Sequence, residues 1–565
     1  MYLERLEKTS SRIEITKILA RLFGEASSDE IDKITYLALG SLAPSYEGVV
    51  LNIAEKMMLR ILARAYGREA GEIVKIYKQK GDLGNTAQIL SKGTGRKQLS
   101  VTQVHEELIK VAEAGGAGSQ ERKVEILAKL LQNLDPLSAK FVARIPVGRL
   151  RLGFSDKTIL DALSWLEKGD KSAKAELEKA YQVLPDPGLL ARKVKEVGVK
   201  KASLGVKPVV GVPVLPMLAQ RIKSPTEMIA KMGKVGVEPK LDGLRLLIHY
   251  NPAKPWQSGV KAFTRNLNET SWMFPELKEI GKYLSCHEAI LDCEAVGLDE
   301  ETKQMANFQT TMTRRRKHEI EDTSKKVGIE FFIFDILAKD GKSFMDEPYT
   351  TRRKALEATL KPGKIFKLVD YELTDDPQRI IKQYQEKVKE GLEGVIVKKA
   401  DGKYVPGRTG WRWVKMKQVE EVESKLADTI DALVMGYTAG KGKRTDFGVG
   451  QFLVGIKKGE KFLTTSKIGT GLTDAQFREL KKRLTKLEVK EKPKEYEIHK
   501  NYTPDFWVTP SQVVEIAADE ITKSPTHTAG LALRFPRLIN FRDDKSPKEV
   551  TTLRELEGLF KMQKK

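Results

Sequence analysis

Lys240 is the first residue whose setting invites chemistry. It ends an extended apolar run, Val235-Gly236-Val237-Glu238-Pro239. Leu241 and the turn pair Asp242-Gly243 follow, and then a second strand-like run, Leu244-Arg245-Leu246-Leu247-Ile248. The spacing predicts a hairpin with one amine at its edge. Burial or neighbouring cations lower the proton affinity of an ε-amine and make it a nucleophile. A K-x-D-G tetrapeptide by itself is equally a solvated lysine beside a turn. Its weight comes from the residues that follow it in order.

Phe263-Thr264-Arg265-Asn266 places an arginine at a strand end, where its planar fork suits a phosphate or a ribose. In Ile290-Leu291-Asp292-Cys293-Glu294-Ala295-Val296, two acids share one strand face inside an apolar run. Glu294 so placed needs a partner: a ribose hydroxyl, an arginine or a metal, with a structural ion pair as the competing account. Phe331-Phe332-Ile333-Phe334-Asp335-Ile336 supplies aromatics that are mostly core, one of which can stack on a base. Gly391-Leu392-Glu393-Gly394-Val395-Ile396-Val397-Lys398 sets an acid before a buried strand and a lysine at its far end. Glu393 suits a metal and Lys398 a phosphate. In Trp411-Arg412-Trp413-Val414-Lys415-Met416-Lys417, Lys415 and Lys417 fall on one strand face. Two like charges there call for an anion such as a triphosphate.

Three kinds of segment must position these residues. Residues 1 to about 200 read as helix, with apolar residues at helical spacing in Ile15-Ile18-Leu19-Leu22-Phe23 and Ile126-Leu127-Leu130-Leu131. Start signals include Ser28 or Asp29 before Ile31, and Ser155 before Ile159. Lys201 to Pro216, with three prolines and two glycines, reads as a linker. From about 217 to 420 strands mix with helices: Val260–Phe263, Ala289–Val296, Ile329–Ile336 and Gly394–Lys398 are strand-like, and Asp376 to Val388 is helical. Beyond that, short strands at Ala432–Tyr437, Gln451–Ile456 and Val513–Ile516 predict a small barrel, followed by a helix at Thr552–Lys561.

The net charge of +22 on 565 residues points to nucleic acid as partner, with a charge-rich solubility surface as the plainer alternative. Two cysteines exclude a disulfide framework and a four-thiolate zinc site, and imply a reducing, cytoplasmic setting. No run of eighteen apolar residues exists to span a membrane.

The ordered set of K-x-D-G, the Arg265 element, Glu294, Phe334, E-G-V-I-V-K and W-V-K-M-K resembles the covalent nucleotidyltransferases, the superfamily of DNA ligases, RNA ligases and capping enzymes. Leu533-Arg534-Phe535-Pro536-Arg537 and Arg542-Asp543-Asp544-Lys545 are similar to the last motif of DNA ligases and capping enzymes. The long helical N-terminal region and the absence of a zinc module make the chain most similar to the replicative ATP-dependent DNA ligases of archaea and eukaryotes. Lys140 to Lys157 resembles their minor-groove element, with Arg144, Arg149, Arg151 and Lys157 as DNA contacts.

The resemblance implies a multidomain fold: an all-α DNA-binding domain over 1–214, an α+β nucleotidyltransferase (adenylation) domain over 215–420, and an OB-fold β-barrel over 421–565. It implies that Lys240 is the nucleophile toward ATP, that Phe334 stacks on adenine, and that Glu238 reads the base. Arg245, Arg265, Glu294, Lys398, Lys415 and Lys417 would surround ribose and phosphates. Glu294 and Glu393 would hold Mg²⁺ or Mn²⁺, and Arg534, Arg542, Asp544 and Lys545 would orient pyrophosphate across a polar joint at Gln418 to Asp428. Nicked duplex DNA and a sliding clamp are the implied partners of a monomer serving replication, repair and recombination. The base-reading residues leave ADP, GTP and NAD open as further donors. Leu241 and Cys293 depart from the family's usual choices without removing a reacting group.

Overall fold

The computed structural model describes residues 1–92, 99–148, 150, 152–222, 224–298, 328–407, 410–417, 429–440, 444 and 447–563, with backbone alone for Arg221 and Lys417. Arg149, Arg151 and the expected joint at Gln418 to Asp428 lie outside the described residues. The chain divides into two compact units. One comprises 1–54, 96–137 and 144–418; the other comprises 55–95, 138–143 and 419–565.

In the first unit, capped amphipathic helices build the helical part. Arg12–Glu25 starts at Ser11, whose hydroxyl accepts from the Glu14 N–H, and it packs on Asp156–Lys168. Val101–Glu113 opens on a capping box between Ser100 and Gln103. Ser155 is the N-cap of Asp156–Lys168, as its position predicts, although its hydroxyl makes no cap bond. The cap before Ile31 is Glu30 rather than Ser28 or Asp29.

Two sheets carry the rest of this unit. Among the described residues, five strands run in the spatial order Gln220–Arg221, Trp413–Lys417, Gly394–Lys399, Val235–Lys240 and Glu372–Thr374. A second sheet runs Val260–Thr264, Leu244–Tyr250, Ala289–Gly297, Ile329–Lys339 and Lys342–Ser343, with Phe366–Leu368 also on Ile329–Lys339. The expected hairpin at Lys240 is therefore not formed, because Val235–Lys240 and Leu244–Tyr250 belong to different sheets. Gly243 explains the crossing: a Cβ there would lie 2.4 Å from the Ala295 carbonyl oxygen. Only a glycine lets the chain pass that close as it steps from one sheet to the other.

Alternation sorts the first sheet into two faces. Val235, Val237, Val395, Val397 and Val414 turn to a core shared with Met228, Met232 and Ile380, which come from helices Pro225–Met232 and Pro377–Lys389. The opposite face carries Glu238, Lys240, Ile396, Lys398, Trp413 and Lys415. On the second sheet, Leu247, Ile290, Val296, Phe332 and Phe334 share a core with Trp413 and Tyr404, so this core lies between the sheets.

In the second unit, helices Glu55–Tyr66, Ala70–Lys80 and Leu83–Leu90 pack on one another. Its later part is strand-rich. Ile430–Thr438, Gln451–Lys458 and Lys461–Ile468 form a meander extended by Val513–Ala517 and Arg537–Phe541, with helix Leu553–Met562 after them. The expected barrel does not close among the described residues. The sheet ends in the two-residue strands Glu488–Val489 and Tyr496–Glu497, and Glu520–Lys523 with Leu531–Arg534 pairs apart from it.

Candidate active site

A cavity of about 130 Å³ lies in the first unit, lined by Ala219, Glu238, Pro239, Lys240, Leu241, Arg245, Glu294, Phe334, Val369, Ile396, Lys398 and Trp413. Six of the residues singled out by the sequence line it: Glu238, Lys240, Arg245, Glu294, Phe334 and Lys398.

The register of the first sheet sets the floor. Lys240 lies opposite Gly394, which lies opposite Lys417; Glu238 lies opposite Ile396, which lies opposite Lys415. The predicted face sharing of Lys240 with Glu238, and the backbone register that brings Lys417 level with Lys240, both follow from strand parity. Lys240 is one-fifth exposed and forms an ion pair with Glu393, the acid before strand Gly394–Lys399.

Glu238 is buried, with both oxygens engaged. The Lys398 ammonium lies 2.7 Å from Oε2, and the Tyr349 hydroxyl donates to Oε1 at 2.6 Å. Lys398 is 1% exposed and sits 4.4 Å from the Trp413 ring centroid and 4.5 Å from that of Phe334. Burial holds its ammonium below the usual range against the pull of Glu238. Lys398 thus stands paired and aromatic-lined, not as an isolated phosphate ligand. Gly236 permits this arrangement, since a Cβ there would meet Tyr349 Cε1 at 2.6 Å.

Arg245 forms a two-pronged pair with Asp292, Nε to Oδ1 at 2.9 Å and Nη2 to Oδ2 at 2.6 Å, and Nη1 donates to the Met217 carbonyl at 2.6 Å. Tyr404 donates to Asp292 at 2.9 Å. The structural ion pair weighed for Glu294 forms instead on Asp292, which shares its strand face, and Arg245 is committed to it. Glu294, opposite Arg245 in register, is different. Burial pushes its carboxyl up to about 7, against the opposing pull of Arg245 and Lys240.

Phe334 occupies a bulge. Asp292 pairs with Asp335 and Cys293 with Ile333, so Phe334 is the extra residue in its strand. The bulge sends Phe334 to the cavity, edge-on to Trp413 with centroids 6.0 Å apart, and leaves Asp335 buried on Arg352 at 2.7 and 3.0 Å. Spacing alone did not reveal Tyr349, Tyr404 or the Asp335–Arg352 pair. Trp413 lies in the same run as Lys415 and Lys417, and its place at the cavity follows from the strand's register rather than from spacing.

Lys415 is half-buried on the cavity face, and Arg265 is exposed at the end of Val260–Thr264. In the helical part Lys157 is exposed in the first turn of Asp156–Lys168. Arg144 departs from expectation: it is 3% exposed, with its guanidinium 2.8 Å from Glu7. An arginine in a basic, glycine-containing segment reads as a surface contact in sequence, but its burial is set by a partner 137 residues away, Glu7.

In the second unit, Arg542 grips Asp544 at 2.8 and 2.6 Å and Asp431 at 3.0 Å, and Lys545 also pairs with Asp431. Arg534 lies 3.6 Å from Glu520 and is half exposed. The last motif is thus a compact set of ion pairs. No helix among the described residues is long and apolar enough to cross a membrane.

This arrangement, a strand-end lysine paired with a carboxylate beside a cavity with aromatic and acidic walls, agrees with the comparisons. Residues 1–164 match the DNA ligase N terminus family, 216–417 the ATP dependent DNA ligase domain, and 445–545 the ATP dependent DNA ligase C terminal region. A protein named "Probable DNA ligase" from Dictyoglomus thermophilum is 38% identical over all of this chain and 97% of its own length. A "DNA ligase" from Pyrobaculum islandicum is 38% identical over all of this chain and 98% of its own. Among solved structures, "Pmar-Lig_Pre." aligns over 96% of this chain and 98% of its own with a TM-score of 0.52 at 18% identity, a likeness of fold. With the motifs in order, the cavity built from them and relatives matched end to end, the chain belongs to the ATP-dependent DNA ligase family.

Proposed function

We propose that the chain seals nicks in duplex DNA with ATP, in replication, repair and recombination. The observation that carries this reading is Lys240, ion-paired with Glu393, beside the cavity that Phe334, Trp413 and Glu294 wall. In the first step the Lys240 amine attacks the α-phosphorus of ATP, an N–P bond forms, and pyrophosphate leaves. In the second, the 5′-phosphate at the nick displaces the lysine and becomes a DNA-adenylate. In the third, the 3′-hydroxyl attacks that phosphate and AMP departs.

The amine must shed a proton to attack, and the Glu393 contact has to open to free it. Lys415, Lys417 and Arg265 are the cations assigned to phosphoryl oxygens, where charge builds in each transition state. Arg245 and Lys398 work from within, pairing with Asp292 and Glu238 and so fixing the cavity wall that meets the ribose and base. Phe334 takes the adenine face.

Among the described residues no group of three or more metal-binding side chains exists. Mg²⁺ or Mn²⁺ is commonly held by one or two carboxylates plus substrate phosphates. Glu294, a part-buried carboxyl pushed up to about 7, and Glu393 are the residues that would hold it. Bound there, the cation would neutralise phosphate charge and favour the uncharged lysine.

In the second unit, Arg534, Arg542, Asp544 and Lys545 are assigned to the pyrophosphate, on the OB-fold that the family reading implies. The test is sealing of an end-labelled nicked duplex with ATP and Mg²⁺, beside an equivalent nick in RNA. Full-length DNA product is expected. Product on RNA alone, or none on DNA, overturns the reading.

A further inference from the structure

A second cleft, of about 300 Å³, opens on the first unit at Lys231, Lys399, Asp401, Gly402, Lys403, Gly410, Trp411 and Arg412. Four of its lining residues are cations and one is an acid, a net of +3 on one small surface. It is separate from the nucleotide cavity. Lys399 has the parity of Val395 and Val397, and Arg412 that of Val414, so both lie on the sheet face turned away from Lys240.

Its frame is built from backbone. The Lys399 N–H donates to the Arg412 carbonyl at 2.8 Å, and the Gly402 N–H closes a turn on the Lys399 carbonyl at 3.0 Å. The Gly402 carbonyl accepts from buried Arg352 at 2.9 Å. Gly410 has φ +60, and a Cβ there would lie 2.9 Å from Arg412 Nη1, so the guanidinium lies over this glycine. Trp411 is 37% exposed, with the Lys231 ammonium 4.0 Å above its ring.

All three lysines have carboxylate neighbours: Lys231 with Glu227 at 2.6 Å, Lys399 with Asp401 at 3.4 Å, and Lys403 with Asp346 at 3.2 Å. These are solvent-exposed pairs, and such pairs hold weakly and yield to a better anion. A row of phosphates is such an anion, and the Trp411 ring holds the Lys231 ammonium in place for it.

We propose that this cleft binds the phosphodiester backbone of the DNA substrate, outside the site where the nick is sealed. The shared chemistry, phosphate oxygen on a cation cluster, would also suit a free polyphosphate, so the test separates the two. The inference rests on the reading of the chain as acting on DNA.

The test is lysine footprinting of the whole protein by acetylation and mass spectrometry, with nicked duplex, with ATP, or with tripolyphosphate at equal ionic strength. Protection of Lys231, Lys399 and Lys403 by DNA alone is expected. No protection by DNA, or protection by tripolyphosphate alone, overturns the proposal. In a companion experiment, K231Q/K403Q should reduce the slope of log affinity for nicked DNA against log salt by about 1.8, at about 0.9 per lost phosphate contact, while self-adenylylation stays at the wild-type rate. An unchanged slope overturns it. Because adenylylation is read separately, failure of the lysine chemistry and failure of this cleft give different results.

Discussion

Glu294 has a charge problem that its neighbours only half solve. Burial raises its carboxyl from 4.5 to about 7, although Arg245 and Lys240 pull it down. Between those two values the folded protein holds a proton there that the unfolded chain has lost. Stability should therefore fall as pH rises from about 4.5 to 7 and level off above, by an amount on the order of 2–3 kcal/mol. Urea melts at several pH values should show that decline in the nucleotide-free protein, and Glu294→Gln should remove it. Glu238 and Lys398 make the opposite kind of pair, mutually satisfied and buried. Lys398→Met should cost about 3–5 kcal/mol by stranding a buried carboxylate, and Glu238→Gln on the same chain should recover part of it. A double variant that is merely the sum of the two singles would contradict the coupling. At this scale parity made much legible: Glu238 with Lys240, and Asp292 with Glu294, share faces as their spacing predicts. Partners were not legible. Nothing near Arg245 in the chain says that its fork goes to Asp292, which lies 47 residues on.

Elements show where local reading fails. K-x-D-G looks the same whether its two strands pair or part, and here they part into separate sheets. The deciding contact, Gly243 against the Ala295 carbonyl, is made with a strand some fifty residues later. Gly243→Ala should thus do more than stiffen a turn. It should push the segment carrying Lys240 off the Ala289–Gly297 strand, destabilise by about 1–3 kcal/mol, and slow adenylylation at saturating ATP. Adenylylation at the wild-type rate would show that the crossing does not position the lysine. The bulge at Phe334 is a second case. A period-2 pattern cannot register one inserted residue, so alternation alone could not place both Phe334 and Asp335 correctly.

At the scale of the whole molecule, the +22 charge directs attention to a polyanion, and the family and its relatives agree with that direction. Which cations touch it is a matter of exposure. Arg144 is locked on Glu7, so Arg144→Ala should destabilise by about 2 kcal/mol yet leave the salt slope of DNA binding unchanged. Exposed Lys157, changed to alanine, should lower that slope by about 0.9 and leave thermal stability as it was. The reverse outcome in melting and salt-titration experiments would put the helical DNA contacts elsewhere. Closure of the strand-rich part into a barrel was beyond the sequence, because strand length and turn signals do not report whether edge strands meet. The proposed chemistry rests on one covalent bond, between Lys240 and AMP. Intact-mass and peptide mass spectrometry of the protein after ATP and Mg²⁺ should find a single added AMP, on the peptide bearing Lys240, absent from Lys240→Ala. No adduct, or an adduct on another side chain, contradicts it.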